Sequence, residues 1–394
     1  RYVERGGTLI VTGTWRPPVQ WQAWRGSIKD EPVISKEDEA VTEPAPKPTP
    51  NSRPQAELPV FYIGFGSVFV TESIDPKEIS VNQWNQMKER LTVKRLGPEE
   101  HATLATINQE FRVVEQFGVP VRGLFALMLL FVIVIGPVNL LWLAKKKRKI
   151  WMLWTIPAIS LLTCLIVAGY SLFGEGWNAT ARTEALTILD ETAHRATTIG
   201  WTGFYSPITP SDGLHFGYDT EVIPQLPSSW DYQRRFSERT LDWTNDQHLT
   251  AGWVTARVPA FFKLRKTEAR RERLNIRQTR NDVTLVNGLG AEIEKLWWAD
   301  ANGILYSAEN ISAGAQAQLQ ATQMKASGTA SSLREAYTGN WLENFQAFGN
   351  KPQTVLMPNS YLAVLKGAPF VEEGLKNVKT RSERNLVYGV GGER

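Results

Sequence analysis

The stretch GLFALMLLFVIVIGPVNLLWLA, from Gly123 to Ala144, decides how this chain is organised. It holds 22 residues without a charge, and about 20 apolar residues in a helix cross the hydrocarbon core of a bilayer. A second uncharged run, IWMLWTIPAISLLTCLIVAGYSLF, extends from Ile150 to Phe173. Together the runs predict a transmembrane helical hairpin over residues 122–174. Two buried helices of a soluble core are the alternative, which the length and the lack of charge disfavour.

Five consecutive cations separate the two runs and predict the topology of the hairpin. They are Lys145, Lys146, Lys147, Arg148 and Lys149. Because basic loops are retained in the cytoplasm, the loop 145–149 predicts a multi-pass membrane protein with both large flanking regions on the extracytoplasmic side. A nucleic-acid or nuclear signal is the alternative for such a run. Contact with anionic lipid is a further role for the same cations.

Tryptophans, glycine and proline add detail to the predicted hairpin. Indole rings favour the membrane–water interface, and four tryptophans are predicted there: Trp142, Trp151, Trp154 and Trp177. Four other residues are predicted to kink or pack the helices: Gly136, Pro137, Asn139 and Pro157. An amide in hydrocarbon should face the other helix or a partner. Neither run contains Asp, Glu, Lys, Arg or His, which leaves a proton relay or ion pathway without its usual groups.

Composition excludes several classes of protein. Among 394 residues, 42% are hydrophobic, which excludes wholesale disorder. The net charge of +4 is too small for a dedicated nucleic-acid binder, so no nucleic-acid partner is expected. The single cysteine, Cys164, excludes an internal disulfide and every multi-cysteine zinc or iron–sulfur site. No catalytic, cofactor-binding or metal-binding motif is found, so neither a cofactor nor a metal is expected.

The region before the hairpin divides into three parts. Residues 1–25 contain YVERGGTLIVTG, which predicts a Gly stop followed by a buried strand, Thr8 to Thr12. A domain rarely begins in this way, so we expect further sequence upstream. Residues 26–59 carry seven prolines and are predicted to form a disordered loop. Residues 60–121 are predicted to contain two short strands around a glycine turn, and then two helices, about 82–91 and 100–117.

Residues 175–394 predict a mainly antiparallel β-sandwich with one helix. Short alternating runs bounded by Gly, Asn, Pro or Asp are typical of that fold. The predicted strands are 184–189, 197–205, 251–262, 273–277, 282–286, 293–298, 303–306 and 316–320. Asp300 to Gly303 predicts a hairpin turn. The helix is predicted from the capping box at Ser332 and the apolar stripe that ends at Phe348.

A basic segment within the predicted sandwich has two interpretations. It forms a surface for lipid head groups or an acidic partner, or it is the solvated face of an ordinary strand, which the alternation favours. The candidate surface residues are Arg265, Lys266, Arg270, Arg271, Arg273 and Arg277.

Two further patterns bear on chemistry. Asp242, Asp246 and His248 lie within seven residues and offer groups for a metal or for acid–base catalysis, although a polar loop explains the spacing better. The tryptophans Trp201, Trp230, Trp243, Trp253, Trp297 and Trp298 offer stacking surfaces for sugars, but in sandwiches such residues are mostly core.

Several of these motifs together resemble a known group of proteins. The segment Tyr2–Gly13 resembles part of the class I glutamine amidotransferase-like, flavodoxin-type domain. The hairpin motifs IGPVN (135–139) and WTIP (154–157), with VNGLG (286–290) and NSYLA (359–363), resemble uncharacterised bacterial membrane proteins. Those proteins carry an extracytoplasmic amidotransferase-like domain, this hairpin and a β-rich C-terminal domain. The resemblance implies a von Willebrand A or MoxR-type ATPase system as partner.

The resemblance also identifies a missing group. True amidotransferases place a nucleophilic cysteine on a sharp turn after the matching strand, whereas this chain has Thr12-Gly13-Thr14 there. The resemblance therefore implies a partial, degenerate amidotransferase-like domain. We expect a non-catalytic, membrane-anchored envelope scaffold that binds the lipid bilayer and a partner protein. Two alternatives stay open, a cell-wall glycan or carbohydrate-binding protein and a hydrolase that uses Asp242, Asp246 or His248.

Overall fold

The computed structural model describes residues 2–13, 16, 18, 25–28, 58–71, 75, 77, 79, 81, 84, 87, 108, 111–113, 121–146, 149–175, 179–225, 239–279, 282–329, 350–376 and 378–391. Three sheets and a helical hairpin are found in these residues. The predicted loop over 29–57 and the predicted helices over 82–91, 100–117 and 332–348 fall mostly or wholly outside them.

The bounds of the elements are as follows. The strands are β1 (Thr8–Thr12), β2 (Arg25–Ile28), β3 (Leu58–Ile63), β4 (Gly66–Thr71), β5 (Ala179–Asp190), β6 (Arg195–Tyr205), β7 (Leu214–Phe216), β8 (Thr220–Gln225), β9 (Thr240–Asp242), β10 (Gln247–Ala251), β11 (Ala260–Ala269), β12 (Arg273–Gln278), β13 (Val283–Gly288), β14 (Glu292–Ala299), β15 (Ile304–Ile311), β16 (Gln316–Lys325), β17 (Ser360–Lys366) and β18 (Val378–Val390). The helices are α1 (Val121–Ile133), α2 (Asn139–Lys145) and α3 (Met152–Glu175), with a π-helical turn at Val134–Val138 and short 3₁₀ turns at Lys149–Trp151 and Pro352–Thr354.

A four-stranded sheet near the N-terminus has the order β1-β4-β3-β2. β1 is parallel to β4, whereas β3 pairs antiparallel with both of its neighbours. The predicted glycine turn joins β3 to β4 at Gly64, where φ is +60° and favours glycine. β2 overlaps the start of the predicted loop 26–59. This part of the chain forms a strand up to Ile28 because it pairs with β3.

The C-terminal region is β-rich, as predicted. Its large sheet has eleven strands in the order β12-β13-β16-β15-β14-β17-β18-β5-β6-β11-β8. Almost all neighbours are antiparallel, but β18 lies parallel to β5. The predicted strand over 251–262 is wrong, because the chain leaves β10 at Gly252 (φ +75°), passes Arg257 (φ +61°) and enters β11 only at Ala260.

Both faces of the large sheet are buried at its middle strands, such as β17. On β17, Leu362 and Val364 join one apolar cluster, while Tyr361, Ala363 and Leu365 join another, since successive side chains of a strand point to opposite faces. The second cluster also contains Leu274 of β12, Leu285 of β13 and Leu319 of β16. This end of the sheet therefore curls back over the middle strands. The arrangement is therefore sandwich-like.

The first cluster joins the N-terminal sheet to the large sheet. Val60 and Phe69 of the small sheet are fully buried in the same cluster as Leu186 and Leu386 of the large one. Glu4 also pairs with Arg195 at 3.1 Å. The predicted boundary between residues 60–121 and 175–394 therefore separates two parts that share one core.

The helical hairpin differs from both sheets in what it buries. Its first arm, α1 to α2, contains Pro137, which lacks an N–H, within the π-helical turn. Asn139 is buried and donates from Nδ2 to Thr155 Oγ1 of α3 at 2.9 Å. Among the described residues, one helix, Phe125–Lys145, is long and apolar enough to cross a membrane, and Met152–Val167 of α3 forms a shorter apolar stretch.

Candidate functional site

A three-stranded sheet, β7-β10-β9, brings the most reactive side chains together. β7 and β10 pair antiparallel, with His215 directly opposite His248. Directly opposite residues project to the same face of a sheet, so the two imidazoles meet and stack, with their ring centroids 4.0 Å apart. Asp212 precedes β7 across Gly213, whose φ of +62° turns the chain back towards β10.

The hydrogen bonds of the two imidazoles determine which nitrogens carry protons. Asp246 Oδ2 lies 2.8 Å from His215 Nδ1, and the backbone carbonyl of Asp212 lies 2.8 Å from His248 Nε2. A carboxylate and a carbonyl only accept, so these two nitrogens donate. His215 Nε2 is buried and lies 3.3 Å from Asp212 Oδ1. The alignment is too poor for a hydrogen bond, and this nitrogen has no other partner in the part of the chain that the structure describes.

Neighbouring charges shift the pKa values in this His–Asp cluster, which we define as Asp212, His215, Asp246 and His248. Burial lowers the pKa of His215, but the hydrogen bond to Asp246 and the Asp212 carboxylate outweigh it, so the net shift is upward. A hydrogen bond from Lys376, 3.1 Å from Asp212 Oδ2, and the contact with His215 lower the pKa of the Asp212 carboxyl. The shifts of the two pKa values therefore favour an ionised Asp212 carboxylate beside a readily protonated His215 imidazole.

Two of the four residues of the His–Asp cluster were predicted from the sequence. Asp246 and His248 belong to it, as the spacing within seven residues suggested. Asp242 does not: its carboxylate accepts from the Thr244 backbone and hydroxyl, which lowers its pKa and ties it to its own turn. Asp212 and His215 were missed because they lie over 30 residues away, and only the pairing of β7 with β10 brings them close.

Most of the described tryptophans singled out above as possible sugar-stacking residues are in the core. Trp201 and Trp298 are buried, and Trp253 donates from Nε1 to the Thr240 carbonyl at 2.8 Å. Trp243 differs, since it is 54% exposed and stacks with the equally exposed Tyr218, ring centroids 6.2 Å apart. Trp230 lies outside the described residues.

Half of the candidate basic surface is neutralised by acidic side chains. Arg265 pairs with Glu221 at 2.6 Å, and Lys266 contacts Glu268 and Glu372. Arg270 binds two further carboxylates, those of Glu268 and Glu272. The remaining three residues, Arg271, Arg273 and Arg277, lie in or beside β12. Three of the six predicted surface cations are thus held in ion pairs within the fold.

The predicted membrane residues lie in the hairpin and in the turn that joins its arms. Trp142, Trp151 and Trp154 are all more than half exposed. Lys146 Nζ lies 4.3 Å from the centroid of the Trp142 ring, a cation–π contact. Gly136 and Pro137 form the π-helical turn, and Pro157 lies in the first turns of α3. Lys145 ends α2 and Lys149 starts a 3₁₀ turn, whereas Lys147, Arg148 and Trp177 lie outside the described residues.

The turn after β1 is the place where the resemblance implies a nucleophile. Thr12 ends the strand and Gly13 follows with φ +91°, its N–H donating to the Thr71 carbonyl at 2.9 Å. The single cysteine, Cys164, is exposed on α3, far along the chain from this turn. The strand end therefore offers a threonine hydroxyl and a glycine where an amidotransferase has its thiol.

Comparisons with known proteins give little support for any identification. No family model matches the chain, and no curated protein matches it. Among solved structures, a match is found to "Yeast delta-COP-I mu-homology domain complexed with Dsl1 WxWxV peptide". It covers 54% of this chain and 96% of that chain at 7% identity, with a TM-score of 0.22. A likeness at that TM-score carries no argument about fold or function.

Proposed function

We propose that the chain is a non-catalytic scaffold of the bacterial cell envelope, anchored in the plasma membrane by the helical hairpin. The observation that carries the proposal is the apolar exterior of the hairpin. Phe125, Leu141 and Leu153 are each at least 67% exposed, whereas the described leucines of the β-rich region are buried, apart from Leu241. A large exposed apolar surface marks contact with a membrane or a protein, and its length of about 20 residues matches a bilayer.

The proposal includes the topology of the hairpin. Both arms, α1–α2 and α3, cross the membrane, the loop 145–149 is cytoplasmic, and the two flanking regions are extracytoplasmic. Support comes from the five cations at one end of the hairpin, since basic loops are retained inside. The stacking of Lys146 on Trp142 suits the interface, where an indole ring and an ammonium group are both well solvated.

The N-terminal region is proposed to be a degenerate, flavodoxin-like amidotransferase domain. The parallel pairing of β1 with β4 is in keeping with such a domain, while the antiparallel β2 and β3 depart from a simple parallel sheet. The threonine and glycine at the end of β1 supply no activated thiol. Its role is therefore binding, together with the large sheet with which it shares a core, and a von Willebrand A or MoxR-type ATPase system is the proposed partner.

Reporter fusions test the anchor and its orientation. Alkaline phosphatase, which is active only outside the membrane, and green fluorescent protein, which is fluorescent mainly inside, are inserted in the loop 145–149 and after residue 391. We expect fluorescence from the loop and phosphatase activity from the C-terminal fusion. A matched variant with all five loop cations changed to Gln should lose much of this bias. Phosphatase activity from the loop of the unchanged chain would contradict the topology.

Purification in mild detergent tests the scaffold role separately. The full chain, isolated from its native membrane, should carry a stoichiometric partner that mass spectrometry identifies. A partner whose soluble domain lies outside the membrane would agree with the topology as well. Recovery of the chain alone, in a single monodisperse form, would remove the main support for a scaffold while leaving the anchor intact.

Glycan binding is the second candidate function, and the exposed pair Trp243 and Tyr218 favours it. Aromatic faces stack on sugar rings, and among the described tryptophans of the β-rich region Trp243 is the one whose side chain is more than half exposed. Quenching or shifting of tryptophan fluorescence by peptidoglycan fragments should disappear in Trp243→Ala. The variant Trp253→Phe, altered at a half-buried ring, is the control. No fluorescence change at millimolar glycan would reject this function.

A further inference from the structure

We propose that Asp212, His215 and His248 form a binding site for a divalent transition-metal ion of the zinc class, with Asp246 orienting His215 from behind. Each of the three residues offers one ligand atom, and these atoms all lie within 4.8 Å of one another. Imidazole nitrogens and a carboxylate oxygen form a ligand set that suits Zn²⁺ and its neighbours. The proposal is independent of the membrane anchor.

The distances approach those of a tetrahedral ion. Zinc lies about 2.0–2.2 Å from nitrogen or oxygen ligands, so neighbouring ligand atoms are separated by roughly 3.3–3.6 Å. His215 Nε2 and Asp212 Oδ1 are 3.3 Å apart already. The stacked imidazoles must tilt, because a nitrogen binds a metal in the plane of its own ring. His248 is half-buried at the surface, and its ring is held by the stacking on His215 and by the hydrogen bond to the Asp212 carbonyl, so the tilt has to be small.

The hydrogen bonds of the two imidazoles leave one ring nitrogen of each histidine available to bind a metal ion. Asp246 holds the proton on His215 Nδ1, so Nε2 presents its lone pair towards Asp212, and this buried atom has no hydrogen bond within the described chain. Its neighbour is Asp212 Oδ1 at 3.3 Å, and a metal ion between the two atoms would bind both of them. Carboxylate–histidine–metal arrangements orient ligands in this manner. His248 donates from Nε2 to a carbonyl and keeps the lone pair of Nδ1.

The site is open to solvent, so an ion can enter it. The three protein ligands also leave one coordination position of that ion open. Lys376 binds Asp212 Oδ2, which leaves Oδ1 for the metal. The Asp212 side chain is 58% exposed, so the site opens to solvent. Three protein ligands leave a fourth position for water, which is the pattern of catalytic rather than structural zinc sites.

Titration of the metal-free full chain with ZnCl₂ tests the proposal. The protein is purified in detergent without a polyhistidine tag, stripped with a chelator and titrated by calorimetry at about pH 8, above the ordinary pKa of a free imidazole. We expect uptake of one ion per chain. The variant His248→Asn should abolish that uptake, and Asp246→Asn should weaken the affinity 10- to 100-fold, as loss of an orienting carboxylate does.

A matched control and a second metal distinguish the site from adventitious binding. His194 is an exposed histidine with φ +51° in the β5–β6 turn, and His194→Asn keeps a residue that tolerates this conformation. That variant should bind one ion unchanged. Co²⁺ should give the intense visible spectrum of tetrahedral coordination in the unchanged chain and in His194→Asn only. Circular dichroism verifies that each variant is folded.

Two results would overturn the metal site. One is the absence of stoichiometric Zn²⁺ uptake by the folded, unchanged chain, which would leave the cluster as an ion pair between His215 and its two aspartates. The other is uptake that persists in the double variant His215→Gln, His248→Asn, which would place the ion elsewhere.

Discussion

The hairpin and the large sheet use the same side chains in opposite ways. In the sheet, Leu296 and Leu362 are fully buried, and in the hairpin Leu141 and Leu153 are 67% and 79% exposed. The polar residues are inverted as well. Asn139 is among the few described residues of the hairpin that are buried, whereas the polar side chains of β12 and β16, such as Arg273, Arg277 and Gln318, are exposed.

Under the proposed membrane anchor, two solvents act on one chain. Burial of apolar surface stabilises the sheet because water is its surroundings. The hairpin has no such driving force in hydrocarbon, where packing and interhelical hydrogen bonds hold helices together. The bond from Asn139 to Thr155 is the described contact of that kind. Each prediction below changes one of the two regions, and we expect the same kind of change to have a different effect in the other region.

The largest effect is expected from a charge in the core of the sheet. Leu362→Arg buries a cation without a partner, at a cost of several kcal/mol, which is comparable to the whole stability of a domain, about 5–15 kcal/mol. The β-rich region should fail to fold, as seen by loss of its circular dichroism signal and by rapid proteolysis. Leu362→Met is the control and should cost less than about 1.5 kcal/mol. A folded Leu362→Arg protein would contradict the assigned core.

A pH-dependent stability is expected for the sheet and not for the hairpin. Lys263 lies on β11, and burial lowers its pKa to about 7 from 10.5. The unfolded chain therefore binds one more proton between these values, so the free energy of unfolding rises with pH there. The gain is roughly 3 kcal/mol from about pH 7 to about pH 9.5.

Denaturant unfolding of the β-rich region at several pH values measures this rise. Lys263→Met should flatten it and should stabilise the protein near pH 7, while the helical signal of the hairpin in detergent stays constant. An unchanged pH profile in Lys263→Met would show that another group is responsible.

A charge in the middle of the first hairpin arm should block insertion without unfolding the sheet. Val132 is 62% exposed on α1, and an arginine at the centre of a span costs about 2.5–3.5 kcal/mol for insertion. Val132→Arg should lower the carbonate-resistant membrane fraction, and Val132→Leu should not. Full retention of Val132→Arg in membranes would argue that this surface binds protein instead of lipid.

The smallest effect is expected for the polar pair inside the hairpin. Asn139→Leu removes the bond to Thr155 and should weaken helix–helix packing by about 0.6–1.7 kcal/mol. Thr155→Val removes the same bond from the other side, so the double variant should show non-additive loss. Thermal unfolding of the hairpin in detergent measures this coupling. Strict additivity would mean that the two side chains do not interact.

Local pattern predicted much of the fold, because its signals lie within ten or so residues. The turn at Gly64, the strand at Thr8–Thr12 and the hairpin turn at Asp300, whose Oδ1 accepts from the N–H groups of Asn302 and Ile304, all followed from neighbouring residues. The break at Gly252 was missed because an alternating apolar pattern continued across it. A positive φ is not visible in the sequence, so a glycine in a turn cannot be distinguished there from a glycine within a strand.

Pairings over long distances were beyond the sequence. The parallel contact of β5 with β18, the acids that neutralise Arg265 and Lys266, and the approach of His215 to His248 each join segments that are distant along the chain. Asp212 and His215 did stand three residues apart, which is a signal for a shared site. That spacing alone did not identify the cluster. The register of β7 on β10 was also needed, because register decides which side chains face each other.

The pairing of β5 with β18 also sets the order of events during synthesis. β5 starts at Ala179, directly after the hairpin, and its parallel partner ends at Val390. The ribosome therefore completes the hairpin, the proposed membrane anchor, long before the middle of the sheet has both of its strands. Until then β5 has one free edge and exposed apolar residues, a state that aggregates readily. A chaperone that protects β5 for the time needed to translate about 200 residues would serve this protein more than one that acts on the finished chain.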